Sequence, residues 1–228
     1  MRYLAVIFTV ALTIQLALAA PHLNPEQGVI TSSKTFQLVK KVSKDLSGTL
    51  WSHDIYEKIG EYLNELKNWC NNDDKLKEAS IYEKFEKHVD TCLELLKQLN
   101  EDPDNCQTQW ALRNEHGEIR KLFNKAKEQD LHETWLAMYG KFASSLQVTL
   151  KPFFETFFTN LSTDIAGFLK TSPQGANVQL IKWNEKFDNE SDYIKKRWML
   201  VSFMDLFPQE RDALKVEQKC EIHFCIGM

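Results

Sequence analysis

Residues 134–170 read TWLAMYGKFASSLQVTLKPFFETFFTNLSTDIAGFLK. Apolar side chains recur at Trp135, Met138, Tyr139, Phe142, Leu146, Leu150, Phe153, Phe154, Phe157, Phe158, Leu161, Ile165 and Phe168. Steps of three and four mark one face of a helix. Between Phe142 and Thr163 only Lys151 and Glu155 are charged. At about 100° per residue, the apolar positions from Phe153 to Leu169 cover an arc of roughly 160°, wider than the ~100° stripe of an ordinary surface helix. So broad a face must be covered by neighbouring elements or by a ligand. Pro152 interrupts it. Having no N–H, and pushing Lys151 away from helical geometry, it predicts either two helices meeting there or one kinked helix.

Upstream, the periodicity predicts helices over 34–46, from Asp54 to about Trp69, from Ser80 to about Pro103 and over 104–129. Gly48 stops the first, and Gly117 divides the last. Asp54 with Glu57, and Ser80 with Glu83, have capping-box spacing. Downstream, 172–175 is a turn cluster. Helices follow over 177–187 (Val178, Ile181, Phe187), over 191–207 (Ile194, Trp198, Val201, Phe203), and from Pro208 towards Lys219. The end of the chain, 220–225, alternates like a short strand.

The expected fold is all-α: a single domain of seven or eight helices over 34–228, bundle-like or orthogonally packed and disulfide-bonded. Eight glycines and six prolines in 228 residues are too few for a sandwich or barrel built on many turns. Residues 34–130 are the more charged half and 131–207 the more aromatic, with no linker between them.

The chain starts like a secreted protein. Arg2, an apolar run from Leu4 to Leu18 and the small-residue site Ala17-Leu18-Ala19 read as a signal peptide over 1–19. Residues 20–33 read as an extended N-terminal tail. The expected location is extracellular, with no stable membrane span: even 142–161 carries Gln147, Lys151, Pro152 and Glu155. A net charge of −4 with mixed signs gives no electrostatic footprint for nucleic acid. Five cysteines in an oxidising compartment should mostly pair. Cys92 and Cys106 flank the turn at 100–102 and are predicted to bridge, with Cys70 bonded to Cys220 or Cys225.

Motifs for chemistry are scarce. The chain has no G-x-S-x-G, no H-E-x-x-H, no glycine-rich phosphate loop and no C-x-x-C. His132-Glu133 is one local acid–base pair, better read as decoration of a helix's first turn. Asp73-Asp74 and Asp102/Asp104 suit turns. Cys220, His223 and Cys225 are metal-type ligands that disulfide chemistry claims first. No metal, cofactor or catalytic residue is expected. Asn160-Leu-Ser162 and Asn189-Glu-Ser191 are N-glycosylation sequons. Lys195-Lys196-Arg197 reads as a solvated face, or else as a site for an anionic headgroup.

The expected function is therefore non-enzymatic. It is that of a secreted carrier holding a hydrophobic small molecule, such as a fatty acid, against Trp135, Phe142, Phe153, Phe154, Phe157, Phe158 and Leu161. The alternative is a secreted effector or inhibitor that binds an extracellular protein through an exposed helix face.

Overall fold

A computed structural model describes residues 29–125, 129–171 and 178–219. They are all-helical: α1 Lys34–Leu50, α2 His53–Asn72, α3 Asp74–Glu78, α4 Tyr82–Glu101, α5 Cys106–Lys125, α6 Gln129–Thr171, α7 Val178–Asn189, α8 Tyr193–Asp205 and α9 Pro208–Gln218. A further turn of helix at 29–31 precedes α1, where the N-terminal tail was expected to be extended. Ser32 Oγ donates to the Val29 carbonyl there, and Ile30 packs on the core. The expected signal peptide and the 220–225 strand lie outside the described residues.

Local chemistry explains four of the helix starts. Ser33 accepts the Phe36 N–H at 3.0 Å to open α1. Asp192 accepts the N–H groups of Ile194 and Lys195 to open α8, and Pro208 occupies the first turn of α9. Asp73, read from sequence as a turn residue, caps the unexpected short helix α3 through Leu76 N–H at 2.8 Å. Two expected caps are absent. α2 starts after Ser52, with Asp54 inside its first turn, and α4 starts after Ile81 instead of Ser80; neither start has a side-chain cap bond. Residues 79–82 form a backbone turn, Tyr82 N–H to the Ala79 carbonyl at 3.1 Å, which delays α4 by one residue.

α6 is one helix of 43 residues that passes through Pro152. The missing N–H would have served the carbonyl of Val148, four residues back. Val148 is 75% exposed, so that carbonyl lies on the water side of the helix, where solvent can take the lost bond. α5 likewise runs through Gly117 without dividing.

α6 is the axis of the fold. It packs on α1, α2, α5 and α7, and meets α1 in its C-terminal part through the Lys41–Asp164 pair. α2, α4 and α5 build one side, with Lys67 of α2 paired to Glu86 and Asp90 of α4. The α4–α5 connection is pinned at Pro103, whose carbonyl accepts from Gln109 Nε2 at 2.7 Å and the Tyr56 hydroxyl at 3.1 Å. α9 packs on α1 through Lys40 and Glu217. Buried apolar side chains from α1 to α9 form one continuous core. Among the described residues, no helix is long and apolar enough to cross a membrane.

Candidate functional site

The broad face of α6 serves two aromatic clusters. The first joins Trp135, Tyr139 and Phe142 to side chains of α2, α4 and α5. Trp135 stacks on Phe123 at 5.3 Å and on Tyr139 at 5.3 Å, and Phe142 stacks on Tyr62 at 4.4 Å. The indole N–H of Trp135 donates to the buried Tyr62 hydroxyl at 3.2 Å. Burial pushes the Tyr62 phenol far above its ordinary range. His116 lies edge-on to Tyr62 and stacks on Tyr139. Burial, then the charge of Arg120, lowers its pKa to about 4, and its Nε2 is shielded without a hydrogen-bond partner.

The second cluster joins Phe154, Phe157 and Phe158 to α7 and α8. Phe158 meets Phe187 edge-on at 5.5 Å and Tyr193 at 6.1 Å, and Phe154 meets Tyr193 at 6.1 Å. Two cations of the Lys195-Lys196-Arg197 run enter it. Lys196 Nζ sits 4.6 Å from the Phe187 ring centroid and 5.6 Å from Phe158. The Arg197 guanidinium lies 4.8 Å over Phe154 and 5.6 Å over Tyr193, and its residue is only 9% exposed. Burial pulls that guanidinium below its ordinary pKa, opposed by the facing Tyr193 phenol. The basic run is thus only in part a solvated face: of its three residues Lys195 alone is exposed.

The residues expected to line one ligand cavity therefore divide. Trp135 and Phe142 belong to the first cluster; Phe154, Phe157, Phe158 and Leu161 are buried in the second region, with Phe153 half-buried beside them. Twelve residues of helix separate Phe142 from Phe154, about 18 Å at 1.5 Å per residue. A cavity beside Phe142, lined also by Trp51, Ile59, Tyr62, Leu112 and His116, has about 10 Å³, room for one water. A ligand pocket needs roughly 300–1,000 Å³.

α8 holds the surface that sequence reading assigned the wrong way. Ile194, Trp198 and Val201 were expected to face inward with Phe203. Instead Arg197, Leu200, Phe203 and Met204 are buried, while Trp198 is 60% exposed and Ile194 and Val201 41% each. The three outward residues follow at steps of four and three, one stripe along the helix. Val178 and Ile181 of α7, also expected inward, are exposed as well, whereas Phe187 is buried.

The remaining expected sites separate clearly. Cys70 and Cys92 are free, buried thiols, so the bridges expected for them are absent. Cys92 faces the core from α4, while Cys106 starts α5 at the surface, near Gln218 of α9. Cys220, His223 and Cys225 lie outside the described residues. His132 Nδ1 meets the Phe123 carbonyl at 3.0 Å, a contact that joins α6 to α5. Among the described residues, no group of three or more His, Cys, Asp or Glu side chains is placed to hold a metal. Asn160 and Asn189 are both exposed. Ser162 of the first sequon donates to Asp188, next to Asn189, at 2.6 Å, so the two sequons meet where α6 passes α7.

No protein-family model, no curated protein and no solved structure matches this chain.

Proposed function

We propose that this is a secreted, non-enzymatic helical protein that acts by binding an extracellular protein through the outward face of α8. The observation that carries the reading is the exposed stripe of Ile194, Trp198 and Val201 on a helix whose opposite face is already buried. Large aromatic side chains that are half in water are the usual anchors of protein interfaces, because one indole buries much area at little entropic cost. The partner surface is an apolar groove that takes the indole, with acidic side chains suited to the exposed Lys195. Glycans at Asn160 and Asn189 belong to the same reading, on the α6–α7 side.

Binding is tested with the native protein immobilised against extracellular fluid from its own source, beside Trp198→Ala and Val201→Lys. At least a tenfold loss of the captured partner, with unchanged helical circular dichroism, is the expected result. Equal capture by native and variant proteins overturns the α8 reading.

Carriage of a fatty acid is the second reading, and the observation in its favour is the pair of cations against the second aromatic cluster. Lys196 and Arg197 offer positive charge to a carboxylate at the edge of Phe154, Phe158 and Phe187. It requires that cluster to open by several side chains. Binding of a fluorescent fatty acid by delipidated protein, weakened in Lys196→Gln, supports it; failure to bind any apolar probe removes it.

A further inference from the structure

The helices fall into two groups that share α6. α2, α3, α4 and α5 pack among themselves and on the first part of α6, through its residues from Asp130 to Phe142. α1, α7, α8 and α9 pack among themselves and on its last part, through residues from Phe154 to Thr171. Apart from α6, no helix of one group packs extensively on a helix of the other among the described residues. The groups also meet where α5 starts and α9 ends. Exposed Gln107 donates through Nε2 to the Lys219 carbonyl at 3.3 Å, and Cys106 Sγ lies 3.7 Å from the Gln218 carbonyl oxygen.

Both helical layers are interrupted at one level. α1 runs antiparallel to α6, with Lys34 Nζ on the Thr171 carbonyl and Lys41 on Asp164. Trp51, ten residues beyond Lys41, falls at the level of Phe154, ten before Asp164. α2 is antiparallel to α6 as well, with Tyr62 on Phe142 and, just beyond its end, Lys75 on Asp130. Eleven residues back from Tyr62 and eleven on from Phe142 set Trp51 against Phe153. Pro152 lies at that level, where α6 lacks a backbone bond to the Val148 carbonyl. Opposite it, only Trp51 and Ser52 join α1 to α2. Trp51 is neither helical nor extended, at φ −122° and ψ 36°. The start of α2 has no side-chain cap, and the shielded Ser52 Oγ beside it finds no hydrogen-bond partner among the described residues. One rotation at 51–52 satisfies both, by bringing that hydroxyl onto a first-turn N–H of α2, as Ser33 does for α1.

We infer that this level is a hinge: α1, α7, α8 and α9 swing with the end of α6 as one body against α2, α3, α4 and α5, pivoting at Pro152 and at Trp51–Ser52. Hinges of this kind are a few element-terminal residues that absorb the φ/ψ change while the packed bodies stay rigid. Each body keeps its own aromatic cluster, and the contact of α5 with α9 closes the pair. Trp51 belongs to the pivot, and it lines the small cavity with Tyr62, Leu112, His116 and Phe142. Opening therefore lifts its indole from the first body and lets water reach the shielded Nε2 of His116. The exposed stripe of α8 travels with the second body.

Pulsed electron spin resonance on the full chain tests the hinge. Exposed Lys97 of α4 and Lys182 of α7, one in each body, are replaced by p-acetylphenylalanine and spin-labelled there, which spares the native cysteines. A control pair at Lys97 and exposed Glu133 of α6 lies within the first body. The expected result is a broad or two-peaked distance distribution for 97–182 and one narrow peak for 97–133. Pro152→Ala, which returns an N–H to the Val148 carbonyl, should collapse the 97–182 distribution to the width of the control. A 97–182 distribution as narrow as the control without that substitution overturns the hinge, and a broad one that Pro152→Ala leaves unchanged overturns its place. Hydrogen exchange of the unlabelled native protein decides the same point without a variant. Amides of 52–54 and 149–156 should exchange roughly tenfold faster than those of 135–146; equal protection overturns the pivot.

Discussion

Replacing Phe154 by alanine asks directly whether the broad face of α6 is packed core. Phe154 has no exposed surface, and its ring touches Phe157, Phe158 and Tyr193 at centroid distances of 5.6–6.3 Å. Loss of a buried Phe costs about 3–5 kcal/mol through lost transfer energy and the cavity left behind. Two features put this site at the upper end. Phe157 and Phe158 are fixed on the same helix and cannot collapse into the gap. The Arg197 guanidinium, 4.8 Å from the ring, would then face a void in a poorly hydrated place, and a desolvated cation–π contact contributes about 2 kcal/mol. The expected loss is therefore about 4–5 kcal/mol, a shift of roughly 10–15 °C in thermal midpoint for a domain of this size. Urea unfolding followed by circular dichroism measures it, with half-buried Phe153→Ala as the neighbouring control, expected to lose about 1–2 kcal/mol. A loss below about 1.5 kcal/mol for Phe154→Ala at unchanged m would refute the packing argument, since only an openable pocket wall tolerates that deletion.

His116 makes stability depend on pH. Its pKa falls from 6.5 to about 4 on folding, so between these values the unfolded chain takes a proton that the folded chain refuses. The contribution is intact above about pH 6.5 and declines by about 3 kcal/mol as pH falls to 4. His116→Phe should lose visibly less stability than wild type between pH 7 and 4.5 in urea titrations; parallel losses would show that the ring is not buried neutral. Burial raises the Cys70 thiol to about 11 and the Cys92 thiol to about 12. A chromogenic disulfide reagent at pH 8 should therefore leave both unmodified in native protein and modify both in denaturant; rapid native reaction would contradict their burial. A Cβ at Gly140 meets nothing within 4 Å, so Gly140→Ala in mid-α6 should stabilise by about 0.5–1 kcal/mol, and a destabilised variant would mean the helix is broken there.

What the sequence made legible was whatever a single helix decides for itself. The inward stripes of α2 and α4, the start of α9 at Pro208 and the burial of Phe154, Phe157 and Phe158 all follow from local spacing. α8 did not yield, because YIKKRWMLVSFMD is apolar on both sides. Periodicity there offers Ile194-Trp198-Val201 and Leu200-Phe203-Met204 equally, and the choice is tertiary: Arg197 lies over Phe154 and Tyr193, a contact between elements that no pattern within α8 encodes. Ser80 and Glu83 misled for a related reason. A capping box is only one way to satisfy the first N–H groups of a helix, and the turn at 79–82 satisfies them with backbone. The residues read as one ligand wall divide between two clusters, since a face continuous on a helical wheel is spread along 43 residues of axis.

The rotation of α8 has an energetic logic that links fold and surface. Turning the helix by about half a turn would bury Trp198, Ile194 and Val201, and at about 25 cal/mol per Å² of apolar area that would favour folding. It would also expose Leu200, Phe203 and Met204, and would withdraw two cations from the faces of Phe154, Phe158 and Phe187. Phe203 packs edge-on against Trp183 at 5.1 Å, and the Trp183 indole N–H donates to Ser202 at 3.0 Å, so the observed rotation also satisfies the buried indole of α7. The stripe that remains outside is the remainder of a helix with more apolar surface than its own fold can cover. Folding selects which face goes in; the apolar character of the face left out is not needed for that choice. Lysine or glutamate at 198 would serve the fold equally well and solubility better. An indole there, 60% in water, is the side chain that the partner proposed for α8 would bury.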